Sequence, residues 1–290
     1  MLSPMRSQVR LLQMGAVVLA LFPSSAPAQG GPPFRTDDPD TPGNKHWEIN
    51  IGFMGDRNPA EGSYALPNLD VNYGLGERIQ LKYELPLSMQ EFRDASGHLA
   101  AGLGNSLLGV KWRFYERALP EPSPRTGDDA PKFAVSTYPQ LVLNNPTRSK
   151  SRGIVEPGPQ LLFPIEAEAK IGPIRICLET GRWFRHDTPD MWVHGLMLGR
   201  QFSRKTEVYL ELYNQRAAIH PDDRDIDNEL TLGVGTRRPV NRAGSVRFLG
   251  MAGRSLRLAT EANGQPSWIA YVGLQFRVGN GTEPSGNFRR

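Results

Sequence analysis

The sequence predicts an all-β fold, an antiparallel transmembrane β-barrel of about twelve strands with periplasmic termini. Three observations support this prediction. Short segments alternate apolar and polar residues from His46 almost to the C-terminus, as a sheet with one apolar and one polar face requires. The connections between these segments are alternately short and long, and an export signal precedes them. Together these features are typical of bacterial outer-membrane barrels.

The first 28 residues have the composition of a secretory signal peptide. Arg6 and Arg10 form a positive region, residues 14–22 an apolar stretch, and residues 26–28 (Ala-Pro-Ala) a cleavage site. A membrane helix is excluded because nine apolar residues cannot cross a core that needs about 20. Removing residues 1–28 lowers the formal charge from +4 to +2, so the basic pI does not indicate nucleic-acid binding.

Four segments are predicted along the chain, and a short acidic sequence lies in the second. The segments are a signal peptide (1–28), a periplasmic N-terminal leader (29–45), the transmembrane barrel (46–276) and a C-terminal tail (277–290). The acidic sequence, residues 36–40, is either a plug or periplasmic contact, or a passive lead-in to the first strand. We favour the passive lead-in.

Twelve strands are predicted, most of them with the roughly 9–11 residues that a tilted membrane strand needs. They lie near 46–54, 64–74, 77–87, 105–115, 132–144, 158–170, 173–184, 191–202, 205–214, 227–237, 245–254 and 267–276. Pro139 and Pro164 fall inside two of them, so we expect irregular pairing there, because proline lacks the N–H that a ladder uses. The strand at 191–202 is apolar on both faces, which leaves its register open.

The connections separate into two sets that fit periplasmic termini. Short turns are predicted at 74–77, 171–173, 202–204 and 239–244, and longer outer loops at 55–63, 88–104, 145–157, 185–190, 215–226 and 255–266. Residues 116–131 are long where a short turn is expected. This segment is either a periplasmic insertion or a sign that the strands are paired differently there.

The two faces of the predicted strands differ in chemistry. The outward phase carries apolar residues such as Ile51, Leu81, Val110, Leu210 and Val272, with aromatic residues near the strand ends, where rings meet lipid headgroups. The inward phase is charged. Its candidate solute-pathway residues are Glu48, Asp70, Lys82, Glu84, Lys111, Arg113, Glu166, Glu168, Arg175, Glu179, Glu207, Glu211 and Glu229.

The inward charges favour a barrel over a soluble periplasmic β-sandwich, the alternative fold. Burying so many charges in an apolar core is unfavourable unless each is paired, whereas a hydrated lumen removes that cost. Two interpretations of the lumen remain open. The charged residues either line an open solute pathway or form salt bridges that fill a narrow barrel.

No motif in the sequence predicts catalysis, a bound metal or a cofactor. Ser96, His98, His186 and His220 lie in predicted loops without a G-x-S-x-G elbow. Residues 220–227 are acidic, as a calcium loop would be, but lack EF-hand spacing. Cys177, the single cysteine, is predicted to be a small filler facing the lumen. The glycines near Gly102 predict a bend entering a strand.

Four segments resemble the outer-membrane transporter family named for the MetA pathway of phenol degradation. They are residues 33–50, 72–81, 102–114 and 270–276. The resemblance implies a barrel that carries small organic molecules, with no catalytic residue and no cofactor. The chain departs from many outer-membrane barrels because residues 277–290 follow the aromatic end of the last strand.

These features predict a passive channel in the cell outer membrane for small, hydrophobic or organic solutes. The expected partners are outer-membrane lipid, the barrel-assembly machinery and the solute, and not nucleic acid. One alternative is a structural barrel with a filled lumen. An outer-membrane esterase or lipid-modifying enzyme is the other. The association with phenol does not by itself define the substrate.

Overall fold

Twelve antiparallel strands close into a barrel in the computed structural model, which confirms the predicted fold class. The structure describes residues 32–59, 61–92, 97–120, 131–186, 189–203, 206–218, 228–241, 243–257 and 266–279. The predicted signal peptide lies outside these ranges, as does all of the predicted tail from residue 280 onward. None of the described residues belongs to a helix long and apolar enough to cross a membrane.

Ten strands are continuous and two consist of two segments each. The strands are β1 (His46–Arg57), β2 (Glu61–Leu75), β3 (Ile79–Phe92), β4 (Leu99–Leu103 and Ser106–Ala118), β5 (Lys132–Thr137 and Gln140–Leu143), β6 (Gln160–Ile171), β7 (Ile174–Arg185), β8 (Met191–Ser203), β9 (Thr206–Ala217), β10 (Asn228–Pro239), β11 (Val246–Arg257) and β12 (Ser267–Gly279). Each strand pairs with its neighbours along the chain. β1 and β12 close the barrel through a register from His46↔Gly279 to Arg57↔Trp268.

Short connections gather at one end of the barrel, here called the turn rim, where β1 begins and β12 ends. Gly76, Gly172 and Gly244 have φ values of 68°, 57° and 72° in three of these turns, a conformation that glycine adopts without steric cost. Most connections at the opposite end, the loop rim, are shorter than predicted, although residues 144–159 between β5 and β6 form a longer one. For example, only residues 58–60 join β1 to β2, because both strands continue beyond the predicted alternation.

The long segment at 116–131 does not reflect a pairing error. β4 and β5 stay paired past the predicted strand ends, with Glu116 opposite Ala134. The Leu119 N–H then donates to the Pro131 carbonyl at 2.9 Å. The β4–β5 pairing is therefore as predicted, while residues 121–130 lie outside the described part of the chain.

The irregular pairing expected at the two prolines is confirmed at a single place between β5 and β6. The ladder stops at Thr137↔Ile165 and resumes at Gln140↔Leu162, so Pro139 and Pro164 fall in the same gap. Two residues without an N–H thus interrupt one ladder once. The bend predicted near Gly102 is also present, since residues 104–105 separate the two segments of β4.

The predicted inward and outward phases are confirmed by burial. Large apolar residues such as Trp47, Leu210 and Val272 are exposed on the outer surface. In β8, whose register the sequence left open, Val193 and Met197 are buried and face inward. Most inward residues elsewhere are polar, so the outer surface is more apolar than the interior, as a lipid environment would require.

The two-faced wall generates a test at position 210. Leu210→Arg places a charge on the outer face, five residues into β9, where we expect folding in lipid vesicles to weaken by about 2–4 kcal/mol. Val278→Arg is the control, because this outward residue lies at the turn rim, where the expected cost is about 0–1 kcal/mol. Equilibrium refolding into vesicles measures both. Equal losses at the two positions would contradict the assigned membrane depth.

Candidate functional site: a lumen occupied by the N-terminal segment

Residues 32–45, here called the leader segment, lie inside the barrel and end at β1. Phe34, Thr36 and Asp38 have only 6%, 0% and 1% of their surface exposed. The favoured interpretation of residues 36–40 as a passive lead-in to the first strand is therefore wrong. The alternative of a short plug describes the structure.

Glycines on the inner wall make room for the leader segment. A Cβ atom at Gly195 would lie 2.5 Å from the Thr36 hydroxyl, and one at Gly235 would lie 2.7 Å from the Phe34 ring. At Gly74 an added Cβ would overlap the Gly43 carbonyl oxygen. Larger residues at these three wall positions would force the leader segment to shift.

Two predicted wall acids hold the leader backbone. The Thr36 N–H donates to Glu211 Oε1 at 2.6 Å, and the Asp37 N–H donates to Glu179 Oε2 at 2.9 Å. Without strand neighbours of its own, an extended segment needs such acceptors, because a buried unpaired N–H is costly. Glu179 and Glu211 therefore act as substitutes for a paired strand.

The aspartates of the leader segment pair with cations of the wall. Asp37 lies 2.8 Å from Lys111 Nζ, Asp38 lies 3.3 Å from Arg175 Nη1, and Asp40 accepts from Lys132 Nζ at 2.5 Å. Arg113 adds a 3.4 Å contact to Asp40. The acidic sequence at 37–40 therefore neutralises the basic side of the lumen.

Asp37 and Asp40 remain ionised because of these cations. Burial raises the pKa of a carboxyl group, but Lys111 and Lys82, together with the hydrogen bonds that Asp37 accepts, lower the pKa of Asp37 below its ordinary value. Lys132, Arg175 and Arg113 likewise outweigh burial at Asp40, so its pKa is also lowered. Burial and the neighbouring Asp40 carboxylate instead raise the pKa of Asp38 to about 7. Asp37 and Asp40 therefore form ion pairs with the wall.

Other wall acids pair within the wall itself. Glu168 lies 2.7 Å from Arg175, and Glu166 lies 3.7 Å from Lys111. Glu207 accepts the Tyr209 hydroxyl at 2.6 Å. Each of these acids is at least nine-tenths buried, so the lumen at this level is filled by salt bridges, one of the two interpretations that the sequence allowed.

A separate cluster occupies the part of the lumen bounded by β1–β3. Lys82 lies 3.5 Å from Asp70 and 3.1 Å from Glu84, and Asn50 donates to Asp70 at 3.1 Å. Glu48 is half-buried on the same inner face. Of the predicted lumen residues, Glu229 alone cannot be placed further, because its side chain lies outside the described set.

An apolar contact anchors the start of the leader segment. The rings of Phe34 and Tyr209 are 5.1 Å apart, and the Arg237 guanidinium lies 5.7 Å and 5.3 Å from their centroids. Arg237 also donates to the Pro32 carbonyl at 3.3 Å. Cys177 and Met197 belong to the same buried cluster, so Cys177 is the lumen filler that was predicted.

Little space remains beside the leader segment. A cavity between Asp37, Lys82 and Tyr138 measures about 20 Å³, enough for roughly one water molecule. Nearer the loop rim, a vestibule of about 310 Å³ lies between Glu84, Val142 and Ile154. The described lumen is thus open near the loop rim and closed at the level of the leader segment.

Sequence reasoning missed Asp37, Asp38, Asp40, Lys132 and Arg237 as lumen residues. Lys132 shares the inward phase of Ala134 and Ser136, so strand alternation could have identified it. The leader residues carry no periodic signal. The one sequence signal was charge: residues 37–40 are acidic, and the inward faces of the predicted strands carry basic residues such as Lys111 and Arg175.

Two chemical alternatives receive no support from the described residues. Asp38, Asp40 and Glu168 have carboxylate oxygens within 4.8 Å of one another, but Arg175 pairs with all three and makes this a salt-bridge cluster. The acidic loop at 220–227 and Ser96 lie outside the described residues. The ring of His98 stacks on Phe92 at 4.5 Å near the loop rim.

Comparison with known proteins supports the barrel fold. No family model and no curated protein matches the sequence. The solved COG4313 outer membrane channel from Pseudomonas putida F1 matches with a TM-score of 0.65 and 13% identity, over 83% of this chain and 98% of that chain. The chain has the fold of an outer-membrane channel. The resemblance to the phenol-degradation family is not confirmed.

Two further structures are less similar. The KdgM porin has a TM-score of 0.49 and 8% identity, over 79% of this chain and 98% of that chain. The translocator domain of the autotransporter NalP from Neisseria meningitidis has a TM-score of 0.45 and 9% identity, over 93% of this chain and 94% of that chain. Neither adds to the argument.

The contacts of Lys111 generate a test of the buried network. Lys111→Met leaves Asp37 and Glu166 without this cation, so we expect a loss of about 3–5 kcal/mol in unfolding free energy. We also expect faster protease cleavage of the leader segment. Lys150→Met, at an exposed position, controls for the loss of one positive charge. Indistinguishable unfolding and cleavage in the two variants would show that the network does not hold the leader segment.

Proposed function

We propose that this protein is a passive outer-membrane channel for small solutes, in which the leader segment closes the lumen until it shifts. The observation that carries the proposal is the manner of closure. The leader segment contacts the wall through hydrogen bonds and ion pairs around Thr36, Asp37 and Asp40. Polar groups of this kind regain hydration when they separate.

The apolar contribution to the free energy of moving the leader segment is modest. Phe34 is the one large apolar side chain that the described leader segment buries, and exposing it costs roughly 1.5–3 kcal/mol. The ion pairs add to this cost but can exchange for water in a hydrated lumen. A segment held mainly by polar contacts can leave the lumen more easily than one packed in a permanent apolar core.

The vestibule supports a channel for organic solutes. Its lining combines Leu107, Val142 and Ile154 with Glu84 and Gln160. Polar and apolar residues contribute equally to this lining, which suits small organic molecules that carry polar groups. The resemblance to a family of proposed organic-solute transporters agrees with this lining. Export by the predicted signal peptide and location in the outer membrane are parts of the same proposal.

A structural barrel is the second candidate function, because the described lumen is filled at the level of the leader segment. The two functions differ in whether that segment moves. An enzyme remains a weaker alternative, since the geometry around His98 does not assemble a recognisable catalytic set from the described residues.

A reversible covalent lock separates the channel from the structural barrel. An ideal Cβ at Gly195 lies 3.0 Å from the Thr36 Cβ, so a shift of about 0.5–1 Å would reach disulfide spacing. We expect Thr36→Cys/Gly195→Cys, made in a Cys177→Ala background, to conduct in planar bilayers when reduced. Oxidation should close it, and reductant should restore it.

The single-cysteine variants are the controls, and their conductance should not respond to oxidation. Equal conductance of the reduced and oxidised double variant would contradict closure by the leader segment. If neither form conducts, and a variant lacking residues 32–41 also fails to conduct while folded, the structural barrel is correct. Heat-modifiable migration on a gel reports whether each variant is folded.

A further inference from the structure

Arginines flank tryptophan on the outer surface at one rim of the barrel. Trp192, the second residue of β8, lies opposite Arg182 of β7 and Arg216 of β9. All three share the outward phase of their strands, and the Arg182 guanidinium lies 5.3 Å from the Trp192 ring. These three residues are called the arginine–tryptophan triplet below.

The arrangement is specific to the loop rim. Trp268, the other outward tryptophan there, also has an arginine on each side, Arg57 and Arg254. At the turn rim the outward tryptophans have no arginine opposite them. Trp47 faces Tyr73 and Val278, and Trp112 faces Ile79 and Thr137. A general aromatic girdle does not explain this difference between the rims.

A groove runs down the outer wall directly below the triplet. It has a volume of about 470 Å³ and an apolar lining that includes Ile165, Leu178, Leu196 and Leu212. Ala167, a small residue in the middle of β6, contributes to its depth. A groove of this volume and polarity can accommodate an acyl chain.

Polarity changes stepwise between the groove and the triplet. His194 follows Trp192 on the same face, with its ring nearly parallel to the indole at a centroid distance of 6.4 Å. His194 Nδ1 and the Thr180 hydroxyl are 2.9 Å apart. From the rim towards the middle of the wall, the surface therefore passes from the arginines to polar side chains and then to apolar ones, which matches the order of groups along an anionic lipid.

The arginines can still bind an anion. Arg182 donates Nε and Nη2 to Asp190 at 3.2 Å and 2.8 Å, which leaves its second terminal nitrogen for another acceptor. Arg216 is exposed. β7 and β9 are separated by one strand, about 10 Å, so two long side chains can meet at one phosphate.

We propose that the triplet and the groove bind a phosphorylated lipid of the outer leaflet, with a phosphate between Arg182 and Arg216 and an acyl chain along the groove. This site goes beyond the channel function and rests only on the proposed outer-membrane location. Its position at the loop rim is the one that contacts the outer leaflet, because the chain ends of the barrel lie at the opposite rim.

Native mass spectrometry of the delipidated full chain with bisphosphorylated lipid A tests the proposal. We expect dephosphorylated lipid A with the same acyl chains to bind about tenfold more weakly. Arg182→Gln/Arg216→Gln should weaken binding of the phosphorylated lipid by a similar factor. The matched control is Arg117→Gln/Arg238→Gln, which removes two exposed arginines near the turn rim.

Further variants separate the parts of the site. Arg216→Gln alone leaves the Arg182–Asp190 contact intact and should still weaken binding. Ala167→Phe fills the groove without changing charge and should also weaken lipid binding several-fold.

Millimolar inorganic phosphate should not displace the lipid, because it lacks the acyl contact. Displacement would reveal a free-phosphate site and overturn the lipid assignment.

Two other outcomes would overturn the proposal. One is equal binding of phosphorylated and dephosphorylated lipid A, and the other is equal binding by the arginine and control variants. The result is independent of conductance. A folded barrel that binds lipid A selectively but never conducts would contradict the channel, whereas a conducting barrel without lipid selectivity would contradict this site.

Discussion

The ion pairs between the leader segment and the wall are the interaction on which the interior depends. Lys111 and Arg175 are buried in the lumen and Lys132 is mostly buried, so an unpaired cation there would be unfavourable. Acids of the wall, such as Glu166 and Glu168, supply part of the compensation. The leader aspartates supply the rest, so these wall cations have all their acidic partners only when the leader segment lies in the lumen.

This arrangement explains how a charged lumen can also be a filled one. Removing two charges from water is expensive, and attraction repays the cost only with good geometry and further hydrogen bonds. Glu211 and Glu179 meet that condition by accepting backbone N–H groups of the leader segment. In the proposed channel, the same polar character would make the closure reversible, because the groups that form these contacts can be hydrated when the segment moves.

The outer surface follows a different constraint. Strand alternation sends every second residue outward, and a shift of register by one residue would exchange the two faces. The apolar belt thus fixes the register, while the rims differ in what surrounds the tryptophans. Arginines lie opposite Trp192 and Trp268 at the loop rim but not opposite Trp47 and Trp112 at the turn rim, and the proposed lipid site depends on this difference.

The strand pattern of this protein was predictable from sequence because it is local. Alternation identified all twelve strands, the faces of all of them except β8, and even the irregularity at Pro139 and Pro164, because backbone geometry couples adjacent residues directly. Strand ends were less certain. β1, β2 and β3 extend beyond the apolar belt at the loop rim, where alternation no longer separates lipid from water.

The site depended on contacts between residues far apart in the chain. Sequence placed Lys111, Arg175 and Glu211 on the inner face but could not say that Asp37, Asp38 and Thr36 would meet them, since the leader segment has no repeat to follow. The choice between an open and a filled lumen was likewise undetermined by composition, because identical charges can be hydrated or paired. By itself the sequence determined a barrel with a charged inside and an apolar outside. Only the tertiary structure decided that the chain's own N-terminal segment fills it, because closure of the barrel brings the wall cations within ion-pair distance of that segment.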